Sequence, residues 1–160
     1  MLFRSPSGGG MEMEMDREGL GSAFLRVELL RRQLLRPHFI ELGLTVGQGQ
    51  PRILKTLRSK GAMSQRELAD LCVLDVTTMS RTLDKLEKLG LVKRTDNPEC
   101  RRSWVISLTP LGEEKADKVI ELFKMADEVF SDGMTAEEVE KLYALMDVIE
   151  KNIEKHGEKR

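Results

Sequence analysis

A mainly α-helical fold with one small β hairpin is predicted by three features of this 160-residue chain. Apolar residues recur at three- and four-residue spacing over most of its length. Helix-start signals stand at Ser64 with Glu67, at Thr109-Pro110 and at Thr135 with Glu138. Two short strand-like runs, Leu91 to Arg94 and Trp104 to Leu108, flank the polar segment from Thr95 to Ser103.

Taken in order, residues 1–17 carry Ser-Pro-Ser-Gly-Gly-Gly and alternating Met-Glu, which buries little and predicts a disordered tail that includes an appended remnant or an over-long start. Region 18–48 begins with a helix from Leu20 to Leu42 whose apolar residues are Phe24, Val27, Leu30, Leu34 and Leu35. Pro37 lies inside that pattern and predicts a kink or division near Arg36, because proline removes an N–H and crowds the preceding turn. The Gly47-Gln-Gly49 stretch then predicts a flexible or tightly bent entrance to a short helix from Gln50. That helix has Pro51 in its first turn and Ile53, Leu54 and Leu57 inward.

Region 49–109 holds the most distinctive pattern. Ser64 and Glu67 open a helix with Leu68, Leu71 and Ala69 inward. A second helix starts near Asp75, places Val76, Met79, Leu83, Leu86 and Leu89 on one stripe, and stops at Gly90. Beyond the glycine, the two strand-like runs enclose a segment too polar for a core, with an Asn-Pro turn signal, so it should project as a wing. The result is a winged helix-turn-helix, a unit that docks on double-stranded DNA. Region 110–156 continues with a long helix to about Phe130 and a final helix to about Lys155. The final helix carries Val139, Leu142, Leu145, Met146, Ile149 and Ile153 on one face. This is more apolar surface than a winged unit needs, and it predicts long terminal dimerisation helices in a symmetric homodimer.

The face of the second helix opposite its stripe exposes Thr77, Thr78, Ser80, Arg81, Thr82 and Lys85. Short hydroxyl side chains let a helix start approach bases and phosphates, and Arg81 has the reach for guanine or a phosphate. The whole chain has a formal charge of −1, yet residues 52–105 contain 12 basic and 7 acidic side chains. The positive surplus is therefore concentrated on the proposed reading head, and acidic helices elsewhere help fix which face docks.

Other classes fit poorly. No apolar run reaches membrane-spanning length, and no secretory signal stands out. Two cysteines and two histidines make no recognisable zinc set, so no metal is expected, and a reducing, cytoplasmic setting follows. There is no glycine-rich phosphate loop, histidine–carboxylate pair or nucleophile elbow, so an enzyme is not expected. A protein-interaction adaptor remains the alternative of a different class, opposed by the basic wing and Arg81.

The sequence resembles the MarR family of bacterial transcription regulators. The resemblance rests on Ser64-Gln-Arg-Glu-Leu-Ala69, on the run from Thr77 to Arg94, and on Arg101-Arg-Ser-Trp-Val-Ile-Ser-Leu-Thr-Pro-Leu-Gly112, within an overall span of residues 20–155. It implies a triangular homodimer of winged lobes, and repression relieved by a small aromatic or anionic effector or by thiol oxidation, with activation as the runner-up. By position it makes Ser80 and Arg81 recognition-helix contacts and Arg102 the wing arginine of the minor groove. The family normally has an aspartate where Cys100 stands, and its pairing with arginine is lost here unless Glu99 substitutes.

The expected DNA-binding set is Ser64, Gln65, Thr77, Thr78, Ser80, Arg81, Lys85, Arg94, Arg101, Arg102 and Ser103. No cofactor is required. A candidate effector pocket is drawn from Phe24, Val27, His38, Phe39 and Leu57, apolar groups with one polar side chain. Cys100, beside two arginines, is the candidate redox residue, while Cys72 reads as core. His38 otherwise reads as structural and His156 as solvated; Met125, Met134 and Met146 read as adaptable packing.

Overall fold

A computed structural model describes residues 19–45, 47 and 49–157; the tail expected over 1–17 lies outside them. The elements are α1 (Gly19–Glu41), α2 (Gln50–Lys60), β1 (Met63–Ser64), α3 (Gln65–Cys72), α4 (Val76–Lys88), β2 (Val92–Asp96), β3 (Trp104–Leu108), α5 (Pro110–Ser131) and α6 (Ala136–Gly157). The fold is the mainly helical winged helix-turn-helix expected, with one addition. The two-residue β1 pairs antiparallel with β3, making a three-stranded sheet in the order β1-β3-β2. Two residues are too few to show a strand period, so β1 leaves no sequence signal.

Side-chain caps fix where the helices start. Ser64 Oγ accepts from Glu67 N–H at 3.2 Å, Asp75 Oδ1 from Thr78 N–H at 2.8 Å, and Thr109 Oγ1 from Gly112 N–H at 3.0 Å. At α6 the exchange is reciprocal. Thr135 N–H donates to Glu138 Oε2 at 2.8 Å and Glu138 N–H to Thr135 Oγ1 at 3.2 Å. Entry to α2 is the tight bend expected: Gly47 and Gly49 take φ of 102° and 79°, a region that a side chain disfavours.

The core of the winged unit draws on its neighbouring elements. Leu35 and Phe39 of α1, Ile53, Leu54 and Leu57 of α2, and Leu68, Ala69 and Cys72 of α3 are all buried. They meet Met79, Leu83 and Leu86 of α4, Ile106 of β3, and Ala116 and Val119 of α5. Each such large side chain contributes about 1.5–3 kcal/mol of burial free energy.

Several sequence expectations need correction. Of the kink or division expected near Arg36, the division does not occur: α1 continues as one helix through Pro37. Leu35 and Phe39, one on each side of the proline, are both anchored in the core, which offsets the lost backbone bond. Leu71, Val76 and Leu89, expected inside, are exposed, and Thr82, expected on the outer face, is buried. The inward stripe of α4 is narrower than the one read from sequence. It runs through Met79, Thr82, Leu83 and Leu86, so Val76 and Leu89 fall beyond its two ends. The Thr82 hydroxyl is satisfied by donating to the Thr78 carbonyl at 2.7 Å.

α6 has no buried residue, although Leu142, Leu145, Met146 and Ile153 lie along it. Leu20, Leu25, Leu29 and Leu30 of α1 are likewise exposed. No described helix is long and apolar enough to cross a membrane.

Candidate nucleic-acid interface

Thr77, Arg81 and Lys85 share the exposed side of α4, with Thr78 and Ser80 half-buried at its margin. Thr78 is partly committed to the helix start: its hydroxyl donates to Asp75 Oδ2 at 2.6 Å and its N–H to Asp75 Oδ1. These two bonds hold the Asp75 carboxyl below the usual carboxylate range. An ionised carboxylate thus occupies the N-terminus of α4, where a phosphate would otherwise be drawn. The exposed cations of α4, Arg81 and Lys85, lie along its flank, away from that helix start. Ser64 and Gln65 are half-buried at the start of α3, Ser64 acting as the cap.

The wing is built from its own backbone and two short polar side chains. β2 and β3 pair from Val92 opposite Leu108 to Asp96 opposite Trp104. Past that pair, Asn97 Nδ2 donates to Ser103 Oγ at 2.7 Å, and Asn97 Oδ1 accepts from Glu99 N–H at 3.0 Å. Ser103 N–H and Oγ both donate to the Cys100 carbonyl, at 3.0 and 3.2 Å. Glu99 forms no ion pair with an arginine among the described residues, so the acid–arginine pairing is replaced by the Asn97–Ser103 turn. The sequence hinted at this only through its Asn-Pro turn signal. Arg101 and Arg102 are left exposed at the tip.

Cys100 is also exposed at the tip, and the Arg102 backbone N–H, aided by Ser103, lowers its thiol below the usual range. Cys72 is the opposite case, buried in the core against the Thr56 hydroxyl at 3.6 Å, where desolvation pushes its thiol up.

Arg94, read in sequence as part of the wing footprint, is engaged within the fold. Its guanidinium turns inward from β2 onto α4, where it meets Asp84 and Glu87 at 2.7 Å each and the Ser80 carbonyl at 3.3 Å. Its side chain is only 13% exposed. Sequence reading sees an arginine in a basic run; the fold surrounds it with acceptors from a helix seven to fourteen residues away.

A cleft of about 570 Å³ lies among α1, α2, α5 and the turn before α4. Arg31, Arg52 and Lys55 bring positive charge, Glu28 and Asp127 negative, and Phe39 and Phe123 apolar surface. Phe39 and Phe123 meet edge to face with ring centroids 5.7 Å apart, and Lys55 Nζ stands 5.0 Å from the Phe123 centroid. The Arg31 guanidinium, bound to Glu28 at 2.7 and 2.8 Å, holds that carboxyl down at about 2; Arg32 assists. Of the five residues expected to line an effector pocket, Phe39 borders this cleft. Phe24 and Val27 are exposed on α1, His38 is half-buried away from the cleft, and Leu57 is in the core. The sequence concealed the cleft because its basic residues, read singly, look solvated.

Comparison with known proteins places this geometry. A family model described as MarR family matches residues 47–104. The uncharacterized HTH-type transcriptional regulator YybA of Bacillus subtilis (strain 168) is 32% identical over 75% of this chain and 79% of its own length. A MarR family transcriptional regulator from Silicibacter pomeroyi superposes with a TM-score of 0.72 at 27% identity, covering 85% of this chain and 91% of that one. A mutant MarR from E. coli complexed with operator DNA gives a TM-score of 0.72 at 25% identity, covering 81% and 92%.

Proposed function

Because the chain belongs to the MarR family of transcriptional regulators, we propose that it represses transcription by binding a pseudo-palindromic site on double-stranded DNA as a homodimer. The observation that carries this reading is that the winged unit exposes cations on two of its elements: Arg81 and Lys85, beside Thr77, on α4, and Arg101 and Arg102 at the tip of the wing. A helix side of this kind fits the major groove, and an arginine-tipped wing fits the adjacent minor groove. The likeness to a MarR mutant complexed with operator DNA supports it.

Dimerisation is supported by the many apolar side chains that α1 and α6 leave exposed, the kind of surface a partner covers. A two-fold partner would cover them and present two copies of α4 to successive half-sites. For the effector, the cleft beside α1 suits a small aromatic acid: Phe39 and Phe123 offer ring contacts, and Arg52 and Lys55 offer cations. Its wall includes Val73 and Leu74, the turn that leads into α4, so occupancy there bears on helix placement and hence on DNA affinity. Such a repressor works in the cytoplasm, where the chromosome lies.

The test is salt-dependent binding of duplex DNA by the purified protein. Arg102→Ala should weaken binding and flatten the plot of log affinity against log salt by about 0.9 for each phosphate that is no longer neutralised. Failure of the native protein to bind any duplex at low salt would end the reading, and an unchanged slope would remove Arg102 from the interface.

A further inference from the structure

Arg94 stands in a basic run and yet spends its guanidinium inside the molecule. Its acceptors, the Ser80 carbonyl and the Asp84 and Glu87 carboxylates, fall at intervals of four and three residues, along one side of α4. Asp84 and Glu87 remain about half exposed, at 55% and 44%, whereas Arg94 is nearly enclosed between helix and hairpin. Trp104 and Gln65 border the same groove. One cation between two carboxylates leaves the cluster net negative, so a phosphate is repelled there, not drawn in. The guanidinium fork instead ties α4 to β2 by charge-assisted bonds in fixed directions.

Resting on the DNA-binding reading above, we propose that Arg94 is a positioning residue: with Asp84 and Glu87 it clamps the recognition helix to the root of the wing, setting the spacing between the Arg81 face and Arg102. The lever is simple. At about 3.3 Å per residue, the hairpin carries its tip roughly 13 Å beyond Arg94. A tilt of about 10° at the root then displaces the tip by about 2 Å, enough to break a hydrogen bond of ordinary length. The clamp also explains why a helix facing DNA carries two acids on its wing side: they are the receptors for Arg94.

The acids give a test in which electrostatics and positioning predict opposite signs. Asp84→Asn with Glu87→Gln removes two negative charges per chain from the reading head, which by charge alone tightens DNA binding. The clamp predicts the reverse on a duplex enriched from a random pool by the native protein. Affinity should fall by about twofold to fivefold, the scale of a partly exposed charged pair. The salt slope should flatten as it does in Arg102→Ala, because the displaced wing no longer neutralises its phosphates, and hydroxyl-radical protection should disappear from the minor groove under the wing but persist along the recognition helix. Arg94→Lys, which keeps the charge but not the fork, should retain part of the wing protection. Hydrogen exchange of the β2–β3 amides in the free, full-length protein should quicken in the double variant while the α5 amides stay protected, which separates clamp loss from unfolding. Tighter binding by the double variant, or a salt slope lowered by about 0.9 per phosphate in Arg94→Gln with wing protection intact, would overturn the proposal. Absence of duplex binding by the native protein would instead overturn the function on which it rests.

Discussion

Replacing Gly112 by alanine should destabilise the protein, although this glycine lies in the first turn of α5 with an ordinary helical φ, where alanine normally gains about 1 kcal/mol. The obstacle is backbone. A Cβ built on Gly112 would sit 1.9 Å from the Leu91 carbonyl oxygen and 2.8 Å from its carbon, against a real lower limit of 3.0 Å. Either α5 or the chain entering β2 must therefore move by about 1 Å. That Leu91 carbonyl also accepts from Thr109 N–H at 3.0 Å, so retreat of the carbonyl strains a buried bond worth about 1 kcal/mol. Overpacking costs about 1–3 kcal/mol, and rigid backbone on both sides favours the upper end. The strained bond and the alanine gain roughly cancel, which leaves about 3 kcal/mol of destabilisation. For a chain of this length that is a fall in thermal midpoint of about 6–12 °C, read at a fixed protomer concentration because a dimer's midpoint depends on it. An unchanged or raised midpoint would refute the close-approach argument. The junction matters to function because it joins the root of the wing to the helices proposed to pair.

Sedimentation of the native chain should give about twice its 18.2 kDa mass at low micromolar concentration. Leu145→Glu on the exposed face of α6 should shift it towards one copy; a well-folded native monomer would sink the dimer. Peroxide should weaken DNA binding of the native protein and of Cys72→Ala but spare Cys100→Ala, because the Arg102 N–H favours the Cys100 thiolate whereas burial suppresses that of Cys72. Equal inhibition of all three proteins would dismiss the thiol at the wing. Acid should reveal the Glu28 ion pair. Its folded pKa of about 2 lies below the ordinary 4.5, so its stabilisation is complete above pH 4.5 and disappears as pH falls towards 2. The urea midpoint should thus fall less between pH 6 and pH 3 in Glu28→Gln than in the native protein, and equal falls would contradict the pairing with Arg31.

What the sequence determines here is what short-range physics controls. The caps at Asp75, Thr109 and Thr135 bond to groups three residues ahead, and the Met79, Leu83 and Leu86 stripe follows from 3.6 residues per turn, so both are readable from spacing. The charge surplus over residues 52–105 is likewise a property of composition. Tertiary structure decides which members of a periodic pattern reach the core. Val76 and Leu89 keep the period of α4 but overrun the surface it packs on, while Thr82 sits close enough to that surface to be buried. It also decides what a charge is for. Arg94 and Arg102 are indistinguishable as letters in a basic run, yet the turn at Gly90 folds β2 back along α4 and sets Arg94 against Asp84 and Glu87, while the hairpin carries Arg102 out to its tip. The same dependence hides the cleft. Arg31, Lys55 and Phe123 come from three helices, and their convergence rests on packing between segments far apart in the chain, which local spacing does not encode.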